Sequence, residues 1–103
     1  MPAMPEYQVT RWRDLPSLVV AREGDDVVKL PLPQTFQEAI DEAAMRLGAV
    51  DSMAYLEGWV REAWTPADGT LTEVAERVVA GLEGEWSEKA LAAYLDAIGP
   101  AAD

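Results

Sequence analysis

The chain changes its pattern of hydrophobic and polar positions about a third of the way along. In EYQVTRWR, side chains alternate, with Tyr7, Val9, Arg11 and Arg13 on one face of an extended segment and Gln8, Thr10 and Trp12 on the other. SLVVAR and DVVKLPL are short and β-branched, and the EGDD between them is a turn signal in which Gly24 is free to adopt positive φ. Pro16 cannot donate to a ladder, so it is expected in the connection between the first two strands, and Pro31 and Pro33 end the pairing at PLP. The first third therefore predicts a three-stranded antiparallel meander.

From residue 34 the period lengthens to that of helices. In TFQEAIDEAAMRLG, Phe36, Ala39, Ile40, Ala43, Ala44 and Leu47 make one apolar stripe, Thr35 and Glu38 have capping-box spacing, and Gly48 stands at the expected stop. A second helix is predicted over 51–64, with Asp51 as N-cap. Met53, Leu56, Val60, Ala63 and Trp64 are set toward the core, while Tyr55 and Trp59 lie on another side. TPADGT breaks the chain. Thr70 and Glu73 repeat the capping-box spacing ahead of the stripe Leu71, Val74, Ala75, Val78, Val79 and Leu82. Ser87 caps a last helix with the stripe Ala90, Leu91, Tyr94, Leu95 and Ile98, and Gly99-Pro100 ends it.

Strands first and helices after define an α+β class, a three-stranded meander followed by about four helices packed on one face. So small a sheet must bury one face under the helices. The 103 residues fit a single domain over 1–103, with the meander at 6–33, the helical part at 34–98, and flexible ends expected at 1–5 and 99–103.

Composition narrows the chemistry. The chain has no cysteine and no histidine, which removes disulfides, thiolate sites, the commonest general base and the commonest metal ligand. No apolar run is long enough to span a bilayer, and MPAMPEYQ has neither the basic start nor the apolar core of a secretory signal, so a cytoplasmic location is the default expectation. Net charge is −11 but uneven: residues 1–33 hold four bases against five acids, residues 34–103 four bases against fourteen. That field repels nucleic acid and anionic membrane, so neither is expected as a partner, and any anion site belongs to the first third.

The stretches YQVTRWRDLPSLVVAREG, VVKLPLPQTFQEAIDEAAMRLG and AYLEGW resemble the small bacterial domain labelled virulence factor. The shared order is RWR with a proline three residues on, K-x-P-L-P, then FQEAID-x-AAM. The resemblance is close over about residues 7–64 and weaker in the last third. That domain also occurs within larger conserved virulence factor proteins, beside repeat modules and a domain of the iron–sulfur scaffold type. The resemblance implies domain boundaries and assigns no activity to particular residues.

Three groups of side chains invite a functional reading. Arg11 and Arg13, extended by Lys29 and Arg22, could form a fork for phosphate or carboxylate, or could pair with the chain's own carboxylates, such as Asp14, Glu23 or Asp41. With Tyr7 at its edge, the same surface could stack single-stranded nucleic acid, though four bases among five acids make a poor footprint. Tyr55, Trp59 and Trp64 could anchor a protein interface or fill the core of a small domain. The carboxylates Glu38, Asp41, Glu42, Glu73 and Glu76 lack EF-hand spacing and read as a solvated face, so no metal or cofactor is expected. Ser17, Ser52 and Ser87 have no activating base, and Gly81 in a helix suggests close packing there. The sequence thus points to a non-enzymatic interaction module that meets an unidentified protein or a second copy of itself, with anion binding as the alternative.

Overall fold

The computed structural model of the protein describes residues 4–48 and 52–98. The expectations for residues 1–3 and 99–103, for Asp51 as a cap and for Gly99-Pro100 as a stop lie outside the described residues.

The meander forms as its alternation requires. β1 (Glu6–Trp12), β2 (Leu15–Glu23) and β3 (Asp26–Pro31) pair antiparallel in sequence order. Gly24, at φ 61°, makes the tight turn into β3. The first turn is equally short, because β1 runs to Trp12 and β2 resumes at Leu15, leaving only Arg13 and Asp14 between them. Pro16 is therefore not in the connection but inside β2. It sits opposite Arg11, beside a register shift that leaves Ser17 unpaired with β1. A bulge is one of the few places a sheet tolerates proline.

The sheet is larger than a meander. It has five strands, in the order β3-β2-β1-β4, with β5 also paired to β1. β4 (Trp59–Arg61) lies along the end of β1, and β5 (Thr65–Pro66) along its beginning. Between them Glu62 N–H donates to Val9 O at 3.1 Å, and beyond them Ala67 N–H donates to Pro5 O at 2.9 Å. The helix expected over 51–64 is instead a short α2 (Ser52–Glu57) that stops before Gly58. From there the chain becomes the second neighbour of β1.

Of the three further helices, α1 and α3 cover the sheet and α4 packs on α1. α1 (Gln34–Arg46) buries Phe36, Ala39, Ile40, Ala43 and Ala44, the stripe its spacing predicts. It begins before Thr35, with Pro33 in the cap position and no side-chain cap, so the Thr35–Glu38 box does not form. Phe36 N–H donates to Pro33 O at 2.9 Å, so the first turn already begins at Pro33. Gly48, at φ 72°, follows α1 as expected. α3 (Leu71–Glu85) lies across β2 and β3 and buries Val74, Ala75 and Leu82. Its capping box is complete: Thr70 Oγ1 accepts from Glu73 N–H, and Glu73 Oε1 accepts from Thr70 N–H, each at 3.1 Å. α4 (Glu88–Ile98) starts where Ser87 Oγ accepts from Ala90 N–H at 3.2 Å, and it rests against α1 through Leu91. The core joins Val9, Val19 and Ala21 of the sheet to Ile40, Val74 and Leu82 of the helices. Gly81 has open space around its Cα rather than a close neighbour.

Candidate functional site

The arginines part company at the end of β1. Arg11 keeps its place in the strand, on the face of Tyr7 and Val9 that looks toward α3. Its Nε donates to Glu62 Oε2 at 3.1 Å and its Nη1 to Asp14 O at 3.0 Å, and the side chain is 20% exposed. Arg13 is not in the strand. It occupies the turn at φ 54°, its N–H donates to Gly58 O at 2.7 Å, and its guanidinium carbon lies 5.5 Å from the Trp12 ring centroid. Lys29 shares a cross-strand register line with Val20 and Gln8, which places it on the face opposite Arg11. Arg22 lies on that opposite face too, bonded to Glu6 Oε1 at 2.7 Å, with its guanidinium carbon 3.6 Å from the Trp64 ring centroid.

Arg11, Arg13, Lys29 and Arg22 therefore do not converge. Two causes separate the basic fork and the basic–aromatic strip expected from alternation: the strand ends at Trp12, one residue before Arg13, and the pairing register sets Lys29 and Arg22 on the other face from Arg11. Arg11 is held by an internal carboxylate, though by Glu62 from the unforeseen edge rather than by Asp14, Glu23 or Asp41.

The space beside Arg11 forms a furrow between the sheet and the last two helices. One cavity, of about 540 Å³, is lined by Arg11, Asp14, Glu62, Glu85, Trp86 and Tyr94. A second, of about 440 Å³, shares Arg11, Glu62 and Glu85 and continues along α3 past Arg77 and Gly81. Carboxylates outnumber the cations along the first cavity, so its field disfavours an anion. Trp86 and Tyr94 meet edge to face with ring centroids 5.4 Å apart, and Tyr94 Oη donates to Asp14 Oδ2 at 3.2 Å. Burial, and then the Asp14 charge, push the Tyr94 phenol above its ordinary pKa. The Trp86 Nε1–H is buried with no acceptor among the described residues.

The aromatic residues of 55–64 are arranged differently from their expected helix. Trp12 is fully buried, and Tyr55 stacks on it at 5.8 Å between centroids with planes 28° apart. Trp59, directly across from Trp12 on β4, meets Tyr55 edge-on at 5.8 Å. Tyr55 O accepts both Trp12 Nε1–H at 2.8 Å and Gly58 N–H at 3.1 Å, which satisfies a carbonyl at the end of α2. Tyr55 and Trp59 are thus half-buried around Trp12, and Trp64 lies half-buried beside Arg22. Of the residues set toward the core by the helical reading, three large ones face out instead: Met53 is 71% exposed, Leu56 63% and Val60 48%. Sequence reasoning missed this surface because it depends on where the helix stops, and Gly58 was the available signal.

Among the described residues no three carboxylates gather where they could hold a metal ion, and no helix is long and apolar enough to cross a membrane.

These features define a small α+β domain with an antiparallel sheet and four described helices, in which Arg11 of β1 is paired with Glu62 of the same chain. The chain belongs to the virulence factor family, whose model matches residues 10–94 and so takes in the last third as well as the meander. No curated protein and no solved structure matches it.

Proposed function

We propose that this virulence factor domain is a non-enzymatic interaction module that binds a separately encoded protein through the outward side of α2 and β4. The observation that carries this reading is the exposure of Met53, Leu56 and Val60 beside the half-buried Tyr55 and Trp59. Met53 and Leu56 are three apart and share one helix face. Large apolar side chains held outward on a rigid base, with aromatics beneath, have the make-up of an interface core. The reading as a module rather than an enzyme rests on the absence of histidine and cysteine and on the pairing of Arg11 with Glu62. A partner of another kind is favoured over a second copy because a chain at −11 repels itself.

The test compares the protein with a Met53→Glu/Leu56→Glu variant as bait in quantitative affinity capture, then repeats any differential partner with purified components by calorimetry. Both residues are exposed, so the variant should keep its melting midpoint. A partner bound by the wild type and lost by the variant supports the reading. Equal binding by both, or turnover of a substrate by the purified domain, overturns it.

A further inference from the structure

On another side of the molecule, α1 and α4 run together without closing the space between them. A cavity of about 270 Å³ remains, lined by Thr35, Glu38, Ala39 and Glu42 of α1 and by Glu88, Leu91, Ala92 and Leu95 of α4. Each set follows a single helix face, at spacings of three and four, so the two faces form opposite walls of one furrow. The floor is apolar because Ala39 and Leu91 are core residues and Leu95 packs against the core, while the small side chains of Ala39 and Ala92 leave the space unfilled. Arg46 ties the two helices together, its Nε donating to Glu42 Oε2 at 2.8 Å and its Nη1 to Leu95 O at 3.1 Å.

The rim is acidic. Glu42 is neutralised by Arg46, but Glu38 and Glu88 have no ion pair among the described residues. The volume is below the roughly 300–1,000 Å³ typical of sites for small organic ligands, and suits one inserted side chain. An apolar slot between two free carboxylates is complementary to an apolar side chain carried between two cationic ones. A second copy would instead bring Glu38 and Glu88 against an equally acidic rim, in a chain already at −11.

We infer that the α1–α4 furrow docks a basic segment of a partner protein, with one apolar side chain of that segment seated over Ala39, Leu91 and Ala92 and flanking lysines or arginines meeting Glu38 and Glu88. This surface is distinct from the α2–β4 face and stands independently of it.

The experiment uses fluorescence anisotropy with three labelled peptides: one leucine between two pairs of lysines, the same peptide with glycine for the leucine, and the same with glutamates for the lysines. The lysine–leucine peptide should bind, more weakly as salt rises, and the other two should bind at least about tenfold less tightly. Ala92→Trp, at an exposed position, should fill the furrow and abolish binding. Glu38→Gln/Glu88→Gln should weaken binding about tenfold and flatten its salt dependence. Circular dichroism melts establish that these surface variants fold. Failure of the lysine–leucine peptide to bind, or equal binding by the glycine peptide, overturns the inference. So does a dimer in light scattering that Ala92→Trp disrupts, since the occupant would then be a second copy. Leu56→Glu should leave peptide binding unchanged; if it removes binding while Ala92→Trp does not, the furrow inference fails and the α2–β4 reading survives.

Discussion

Gly58 lies against the indole of Trp12 so closely that a Cβ on it would stand 2.5 Å from both Cε2 and Nε1 of the ring. The indole cannot retreat, because it is fully buried, stacked by Tyr55 and bonded through Nε1 to Tyr55 O. Gly58→Ala should therefore destabilise the domain by about 1–3 kcal/mol, the usual cost of overpacking. Urea melts check this, and a change below a few tenths of a kcal/mol would mean the ring has room to move.

Trp12 and Trp86 should respond differently to loss of their N–H. Trp12 Nε1–H has an acceptor and Trp86 Nε1–H has none among the described residues. Trp12→Phe leaves the Tyr55 carbonyl short of one donor and opens space in the core, so it should cost about 2–4 kcal/mol. Trp86→Phe loses ring area but relieves a buried donor without an acceptor, so its cost should be smaller by at least about 1 kcal/mol. Equal losses in paired urea melts would contradict the difference.

Arg13 carries a backbone conformation that L-residues other than asparagine and aspartate seldom adopt. Arg13→Val, β-branched at φ 54°, should destabilise by about 1–2 kcal/mol, whereas Arg13→Asn should be close to neutral. Thermal melts of the two variants side by side are the measurement.

The α3 capping box makes an acid-side prediction. Hydrogen bonds from the Thr70 backbone, and then from its side chain, hold the Glu73 carboxyl below its ordinary pKa of 4.5. A depressed carboxyl contributes stability above its unfolded value and loses it as pH falls through the folded one. Stability should therefore decline below about pH 4.5 in part through Glu73. Thr70→Ala should lower stability by about 1 kcal/mol at neutral pH and flatten that acid limb only in part, because the backbone N–H of residue 70 still bonds the carboxylate, as read from urea midpoints against pH.

Tyr94 works in the other direction. Its phenol keeps its proton in the folded state to a pH above the ordinary 10.0, while the unfolded chain releases it there, so stability should fall as pH rises past that point. Asp14→Asn removes the second cause of the shift and should bring the folded-state titration down without returning it fully, because burial remains. Ultraviolet titration of the phenolate follows this, with Tyr7→Phe/Tyr55→Phe as the background. An unmoved midpoint would detach Asp14 from Tyr94.

What could be read from the sequence divides by range. The meander, the stripes of α1, α3 and α4, and the Thr70–Glu73 box are set by residues a few positions apart, and all appear in the structure. Residues 58–67 are decided elsewhere. MAYLEGWVREAW has helical apolar spacing, yet Gly58 is needed bare against Trp12, and the chain beyond it finds the free edge of β1. Local periodicity cannot report a pairing partner some fifty positions away. The same blindness set Met53 and Leu56 toward the core, where they face out, and hid Glu62 as the mate of Arg11. Arg13 left its expected face for a smaller reason: the turn is two residues long, shorter than the Pro16 connection implied.

A strand clasped on one side by its immediate successor and on the other by residues that arrive much later imposes an order of assembly. The first hairpin can close as soon as it is made, but its outer edge stays open until Thr65–Pro66 has been synthesised and has looped back. During that interval an emerging chain offers bare amides and carbonyls to any neighbour, including the tail of a sibling molecule. Crowded expression should accordingly favour exchanged dimers in which one polypeptide's 59–66 segment completes the sheet of another.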